Sequence, residues 1–167
     1  MPVTTSTARP AWWKGTRGEW YVVIQVALIL LVLVGPRTWP GAPPLPLGSR
    51  AWSAGAVMLM FGGIALILAG GLWLGKNATP LPHPRAGAPL VDSGPFRLVR
   101  HPMYSGGVFF AFAWALYVRS PLTLVYAVAL LVFADIKARR EERWLRAAFP
   151  GYDAYERRVR KLIPFVY

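Results

Sequence analysis

Four apolar stretches leave this chain few ways to fold. They run roughly over residues 20–34, 52–74, 103–118 and 121–136. Crossing a bilayer takes about 20 mostly apolar residues. The second stretch meets that length easily. The other three are shorter, and reach across when flanking Trp, Tyr and Arg side chains extend to the interface. With 55% hydrophobic and only 16% charged residues, a soluble domain of this size would have no place to hide its apolar surface. The expected fold is therefore all-α: a polytopic membrane protein with about four transmembrane helices and a cytoplasmic C-terminal helical segment. One integral membrane domain accounts for residues 1–167.

Charge orients the spans. With the N-terminus inside, sixteen Lys/Arg fall on the inner side: Arg9, Lys14, Arg17, Lys76, Arg85, Arg97, Arg100 and nine between positions 137 and 161. Only Arg37, Arg50 and Arg119 fall outside. By the positive-inside rule both termini are expected on the cytoplasmic side. The net charge of +12 is thus a matter of topology and of contact with anionic lipid, and nucleic acid is not an expected partner. Gly35-Pro36-Arg37 makes a poor small-x-small cleavage site, so the first stretch is expected to be a retained helix. Only Arg119 and Ser120 separate the third and fourth stretches, and Pro121 suits a helix start, which predicts a tight helical hairpin. Gly55, Gly62, Gly63, Gly70, Gly71 and Gly75 in and just after the second stretch suggest close helix packing, or room for a ligand at its cytoplasmic end.

The residue inventory excludes much chemistry. With no cysteine there is no disulfide framework, no thiol nucleophile and no Cys-ligated zinc; His83 and His101 alone cannot make a His-only metal site. The spans lack the mid-depth ionisable groups of a transporter. Attention moves to two cytoplasmic segments. Residues 76–104 hold six prolines and so cannot form a long helix. Their apolar residues, such as Leu90, Val91, Phe96 and Val99, predict an ordered loop packed on the membrane face, with a turn at Asp92-Ser93-Gly94-Pro95. Arg97, Arg100 and His101 then arrive just before the third span. They suit a carboxylate or phosphate ligand, or simple anchoring at the interface. In residues 137–167, a helix is predicted to continue to Phe149, to break at Pro150-Gly151, and to be followed by a second short helix. Glu142, Leu145 and Phe149 share a face. Glu141 and Glu142 either pair with nearby arginines or receive a cationic group of a ligand.

Two motifs carry a family resemblance. LVDSGPFRLVRHPMYSGG supplies Gly94, Pro95, Phe96, Arg97, Arg100, His101, Pro102, Tyr104 and Gly106. After the hairpin, REERWLRAAFPGYDAYERRVRKLIPF supplies Glu141, Glu142, Leu145, Phe149, Tyr152, Tyr155, Ile163 and Pro164. Together they resemble the isoprenylcysteine carboxyl methyltransferases, a group allied to the membrane phospholipid methyltransferases. The resemblance covers about residues 76–165, and the first two spans match in character only. Between Phe149 and Tyr152 the chain is one residue shorter than the family pattern.

The resemblance implies methyl transfer from S-adenosylmethionine (leaving S-adenosylhomocysteine) at the cytoplasmic face, with a lipid-like acceptor entering from the bilayer. It implies a cofactor site made of Leu98, Val99, Arg100, His101, Pro102, Tyr104, Gly106, Glu141 and Glu142, with Glu142 and Arg140 nearest the chemistry. Arg100 and His101 would hold the cofactor carboxylate, and Tyr104 would pack on it or hydrogen-bond to it. Glu141 or Glu142 would face the α-amino group or the sulfonium, and Arg139 or Arg140 would orient an acidic acceptor. No metal is implied. The cofactor's opposite charges match these residue types, and an in-line transfer asks mainly for alignment and exclusion of water. Two other readings remain: a membrane reductase using a nicotinamide dinucleotide, and a non-catalytic protein whose basic face binds anionic lipid. A bacterial cytoplasmic membrane is the expected location. The acceptor and the oligomeric state stay open.

Overall fold

A computed structural model describes residues 19–39, 43–46, 50–75 and 89–167. The described residues are all-helical: α1 (Glu19–Val34), α2 (Arg50–Leu74), α3 (Pro102–Tyr117), α4 (Pro121–Ala148) and α5 (Tyr152–Arg158), with a 3-10 turn at Gly94–Arg97. The proline-rich residues 76–88, His83 among them, lie outside the described residues, as do Arg9, Lys14 and Arg17.

Two helices, α2 and α4, are long and apolar enough to cross a membrane. The expectation of four spans is thus met at full length by two. With 16 residues each, α1 and α3 reach only about 24 Å at 1.5 Å per residue, short of a hydrocarbon core of about 30 Å. Broad apolar faces are uncovered: Trp20, Ile24 and Leu30 on α1, Met58, Phe61 and Leu72 on α2, and Val125, Val128 and Val132 on α4 are all exposed. Apolar surface on this scale belongs in lipid.

Glycines set the most extensive helix contact, α2 on α3. A Cβ on Gly63 would come within 2.6 Å of the Gly106 carbonyl oxygen, and one on Gly106 within 2.4 Å of the Gly63 oxygen. The two backbones therefore touch, as small residues allow in membrane helices. Gly70 likewise accommodates Pro102 and Met103. The glycines of α2 that face α3 serve packing, while Gly55 and Gly62 face open space.

The α3–α4 hairpin is as tight as expected. Arg119 turns the chain with φ 54°, and Ser120 caps α4 by accepting the Thr123 N–H at 3.0 Å. Ser120 also donates to the Arg37 carbonyl at 2.6 Å, and the Leu45 N–H reaches the Arg119 carbonyl at 2.9 Å. The loop after α1 is thereby pinned over the hairpin. α4 then runs unbroken for 28 residues, about 42 Å, and carries Glu141 and Glu142 beyond the apolar stretch. Phe149 ends it in extended backbone just before Pro150.

At that end the chain folds back on itself. Phe96, Tyr152 and Tyr155 form a buried cluster with Leu74, Leu90, Leu145 and Phe149 against it. Tyr155 donates to the Phe96 carbonyl at 2.7 Å. Val99 forms a parallel bridge with Arg160, and the Arg100 and His101 amides donate to the carbonyls of Arg160 and Lys161. The loop before α3 and the segment after α5 are thus two strips of one layer over the helix ends.

Candidate functional site

Arg100 and His101 of that layer converge on Glu142. The carboxylate is 2% exposed on the face of α4 that meets the start of α3. Arg100 Nε donates to its Oε1 at 2.9 Å, and Arg100 Nη2 lies 2.8 Å from the same oxygen. His101 Nε2 is 3.1 Å from Oε1. Burial by itself would push the Glu142 carboxyl up. The hydrogen bonds and charges of His101 and Arg100 win, and hold it at about 2.

The Arg100 guanidinium is fully engaged. Besides Glu142 it donates to the carbonyls of Glu156, at 3.1 Å, and Val159, and approaches the Glu156 carboxylate at 3.3 Å. Arg100 was expected to hold a cofactor carboxylate; here its donors are taken by this chain's own acceptors. It ties α4, α5 and the loop before α3 together. Glu156 completes the network through Arg146, whose Nη2 lies 2.7 Å from Glu156 Oε1.

A second strand of contacts runs through Glu141. Tyr104 donates to Glu141 Oε2 at 2.9 Å, and His101 Nδ1 is 3.6 Å from that oxygen. The His101 and Tyr104 rings stack at 5.3 Å with 5° between planes. The imidazole therefore sits between the two carboxylates, with one nitrogen toward each.

The remaining expected residues divide clearly. Pro102 is the buried first residue of α3 and Val99 is fully buried in the strip beside Arg160, while Leu98 is 47% exposed. Gly106 is enclosed by Gly63 and Ile67 of α2, which gives it a packing role where a cofactor contact was expected. Arg140 is not part of the Glu142 network. Its guanidinium lies over the rings of Tyr21 and Trp144, at 5.3 and 5.1 Å. Glu156 was missed from the sequence, and only its place beside Tyr155 in the second motif could have drawn attention to it.

Glu142 also lines an open groove of about 600 Å³ with Ile136, Arg139, Arg143, Arg146, Glu156 and Lys161. That size suits a small organic ligand. Its lining carries four cations and two carboxylates, so both signs of charge face the groove. At its edge Lys161 donates to Asp135 at 2.8 Å, and Tyr167 donates to the same oxygen at 2.9 Å.

Lipid-facing helices that gather a buried carboxylate, an arginine and a histidine at one end define a membrane protein with a built polar site. The chain belongs to the phospholipid methyltransferase family, whose model matches residues 52–151, more than half of its length. That match takes in α2, both strands of the Glu142 contacts on α3 and α4, and the hairpin between them. The chain is 31% identical over 150 residues to the cobalt-zinc-cadmium resistance protein CzcN of Cupriavidus metallidurans, across 88% of this chain and 62% of that protein. It is 27% identical over 149 residues to the nickel-cobalt-cadmium resistance protein NccN of Alcaligenes xylosoxydans xylosoxydans, across 88% of this chain and 63% of that protein. The chain thus spans less than two thirds of the length of either relative.

Proposed function

We propose that this protein transfers a methyl group from S-adenosylmethionine, at the cytoplasmic face of a bacterial inner membrane, to a lipid-like or small hydrophobic acceptor. One observation carries the reading: His101 and Tyr104 at the start of α3 meet Glu141 and Glu142 on α4 at distances of 2.9 to 3.6 Å, beside a groove that offers both signs of charge. Membership of a methyltransferase family supports it. Four spans with both termini inside are supported by the Lys/Arg asymmetry, sixteen against three.

The residues present fit the cofactor's charges. Arg139, Arg143, Arg146 and Lys161 line the groove and suit the amino-acid carboxylate. Glu142, Glu156 and Glu141 suit the α-amino group and the sulfonium. When bound, the cofactor supplies an electrophilic methyl group that needs no metal activation. Arg100 keeps Glu142 ionised and fixed, while His101 and Tyr104 hold Glu141 in register with it. The apolar walls of α3 and α4 keep water from the acceptor side. Resistance to cobalt, zinc, cadmium or nickel, named for the relatives, would on this reading follow from methylation of a membrane component.

The test is calorimetric binding of S-adenosylhomocysteine to detergent-purified protein. Wild type should bind saturably, with affinity reduced about tenfold or more in His101→Ala and Glu141→Gln through loss of a charge-assisted contact. Folded wild type that binds a nicotinamide dinucleotide instead, or only anionic liposomes, would end the methyltransferase reading.

A further inference from the structure

Residues 162–167 form a closed turn beside α4. Leu162 is buried with Val108 of α3 and Ala134 of α4, and Ile163 packs against that cluster. The Leu162 and Ile163 N–H groups both donate to the Tyr167 carbonyl at 2.7 Å, and the Val166 and Tyr167 N–H groups donate to the Ile163 carbonyl at 3.1 and 3.0 Å. Pro164 has no N–H to satisfy. The turn therefore meets most of its backbone hydrogen-bonding need by itself, which is what contact with hydrocarbon demands.

The side chains of the turn divide by polarity. Phe165 and Val166 are turned outward, 83% and 71% exposed. Phe165 is held in left-handed backbone, at φ 64°, which a bulky side chain rarely adopts. Tyr167 is turned inward. Its hydroxyl donates to Asp135 Oδ1 at 2.9 Å and accepts from Lys161 Nζ at 2.9 Å and Arg139 Nη2 at 3.0 Å. Lys161 Nζ and Arg139 Nε also donate to the Asp135 carboxylate, at 2.8 and 2.7 Å. One carboxylate and two cations thus close on one hydroxyl and satisfy each other. Arg139 and Lys161 line the groove as well, so this clasp fixes the turn to one wall of it.

Asp135 stands about 21 Å along α4 from Pro121 at 1.5 Å per residue, within reach of a hydrocarbon core of about 30 Å. The exposed apolar stripe of α4, Val125, Val128, Val132 and Ile136, runs up to the same level. We infer that the turn is an interfacial wedge: Phe165 and Val166 insert among the acyl chains at the bilayer boundary nearest the polar site, and the Asp135–Tyr167 clasp holds them there. Lipid is the occupant of this patch because the patch continues a surface that already faces lipid, and because the polar groups at its base are neutralised among themselves. A carboxylate near that depth is costly unless paired. Pairing Asp135 with Lys161 and Tyr167 turns it into the tether. A segment expected to be wholly cytoplasmic thus returns to the membrane. The wedge is independent of methyl transfer.

The chain has no cysteine, so one introduced thiol carries one label. The probe is a thiol-reactive nitroxide at Phe165→Cys, in full-length protein reconstituted into liposomes of phosphatidylcholine and phosphatidylglycerol. Val132→Cys is the lipid reference and Asp153→Cys, at an exposed position of α5, the water reference. Electron paramagnetic resonance power saturation compares collisions with oxygen, which partitions into lipid, and with a nickel chelate, which stays in water. Oxygen should win at 165 as it does at 132, and nickel should win at 153. Adding Asp135→Asn should free the turn: the label at 165 should gain mobility and nickel contact, while a label at 132 keeps its values. Should Phe165→Cys fail to fold, Val166→Cys carries the same expectation, and Tyr167→Phe stands in likewise for Asp135→Asn. Nickel winning at 165 in the otherwise wild-type chain would overturn the wedge. So would shielding from both reagents, which marks a protein partner or a second copy on the patch. A label at 165 that is indifferent to both Asp135→Asn and Tyr167→Phe would overturn the clasp.

Discussion

Replacing Glu142 with glutamine removes a charge without removing volume. In the folded protein the Glu142 carboxyl titrates at about 2, against an ordinary value of 4.5. At about 1.4 kcal/mol for each tenfold change in proton affinity, that difference stabilises the fold by about 3 kcal/mol at neutral pH. The amide would also leave Arg100, 8% exposed, short of its nearest charge partner, a change of the kind that costs about 3–5 kcal/mol when a buried pair is broken. Glu156 stays beside Arg100 at 3.3 Å, so the lower figure is the better expectation. For a chain of this size, about 3 kcal/mol corresponds to a fall of about 6–12 °C in melting temperature. The sign with pH follows from a depressed carboxyl. Its contribution is complete above 4.5 and disappears as pH falls toward 2. Thermal unfolding of wild type and Glu142→Gln in the same detergent, followed by circular dichroism at several pH values, measures both. The gap between the two proteins should be full at pH 6 and above and should close progressively in acid. A variant melting within about 2 °C of wild type at pH 7, or a gap independent of pH, would refute the claim that this ion pair organises the site.

Three further substitutions test the scaffold around that pair. Gly94 has φ 57°, and a Cβ there would meet the Trp73 ring at 2.4 Å. Gly94→Ala should therefore lose about 2 kcal/mol or more, the left-handed backbone alone accounting for about 1–2, seen as a lower melting temperature. Tyr155→Phe removes the buried hydrogen bond to the Phe96 carbonyl and should cost about 1–2 kcal/mol in the same assay. Arg119 holds φ 54° in the hairpin turn, so Arg119→Gly should be neutral or raise stability by up to about 1 kcal/mol, and a clear loss would mean that the arginine side chain anchors the turn.

Helix placement was readable because each boundary carries a local signal. Gly35-Pro36 follows the end of α1 at Val34, Pro102 and Pro121 open α3 and α4, and Pro150-Gly151 separates α4 from α5. Whether a short helix crosses the membrane is different, because length alone leaves α1 and α3 marginal. The meeting of His101 and Tyr104 with Glu141 and Glu142 could be suspected from two motifs, since the hairpin between them must return the chain to the same side. Which charge pairs with which could not be read. Arg100 faces Glu142, Glu156 and two carbonyls only because the strip at Val99 pairs with Arg160, a contact between segments about 60 residues apart with no periodic pattern to announce it. The Lys137–Gln25 contact was hidden for a similar reason: it joins α1 to α4 through one isolated amide in an otherwise apolar helix.

The α3–α4 hairpin behaves like a pair of tongs. Its pivot is the Arg119-Ser120 turn, held under the loop after α1, and its tips are His101 and Glu142, 41 positions apart in the chain and 3.1 Å apart in space. From Ser120 to Glu142 the α4 arm measures about 33 Å, so a 10° change in its tilt relative to α3 would swing the tip by about 6 Å, enough to part every contact that Glu142 makes. In a bilayer the tilt of a helix is set by its packing against neighbouring helices and by its interfacial anchors. The packing of α4 on α1 and α3 along the spans is thus what keeps a polar site at the far end closed, although few of those residues touch it.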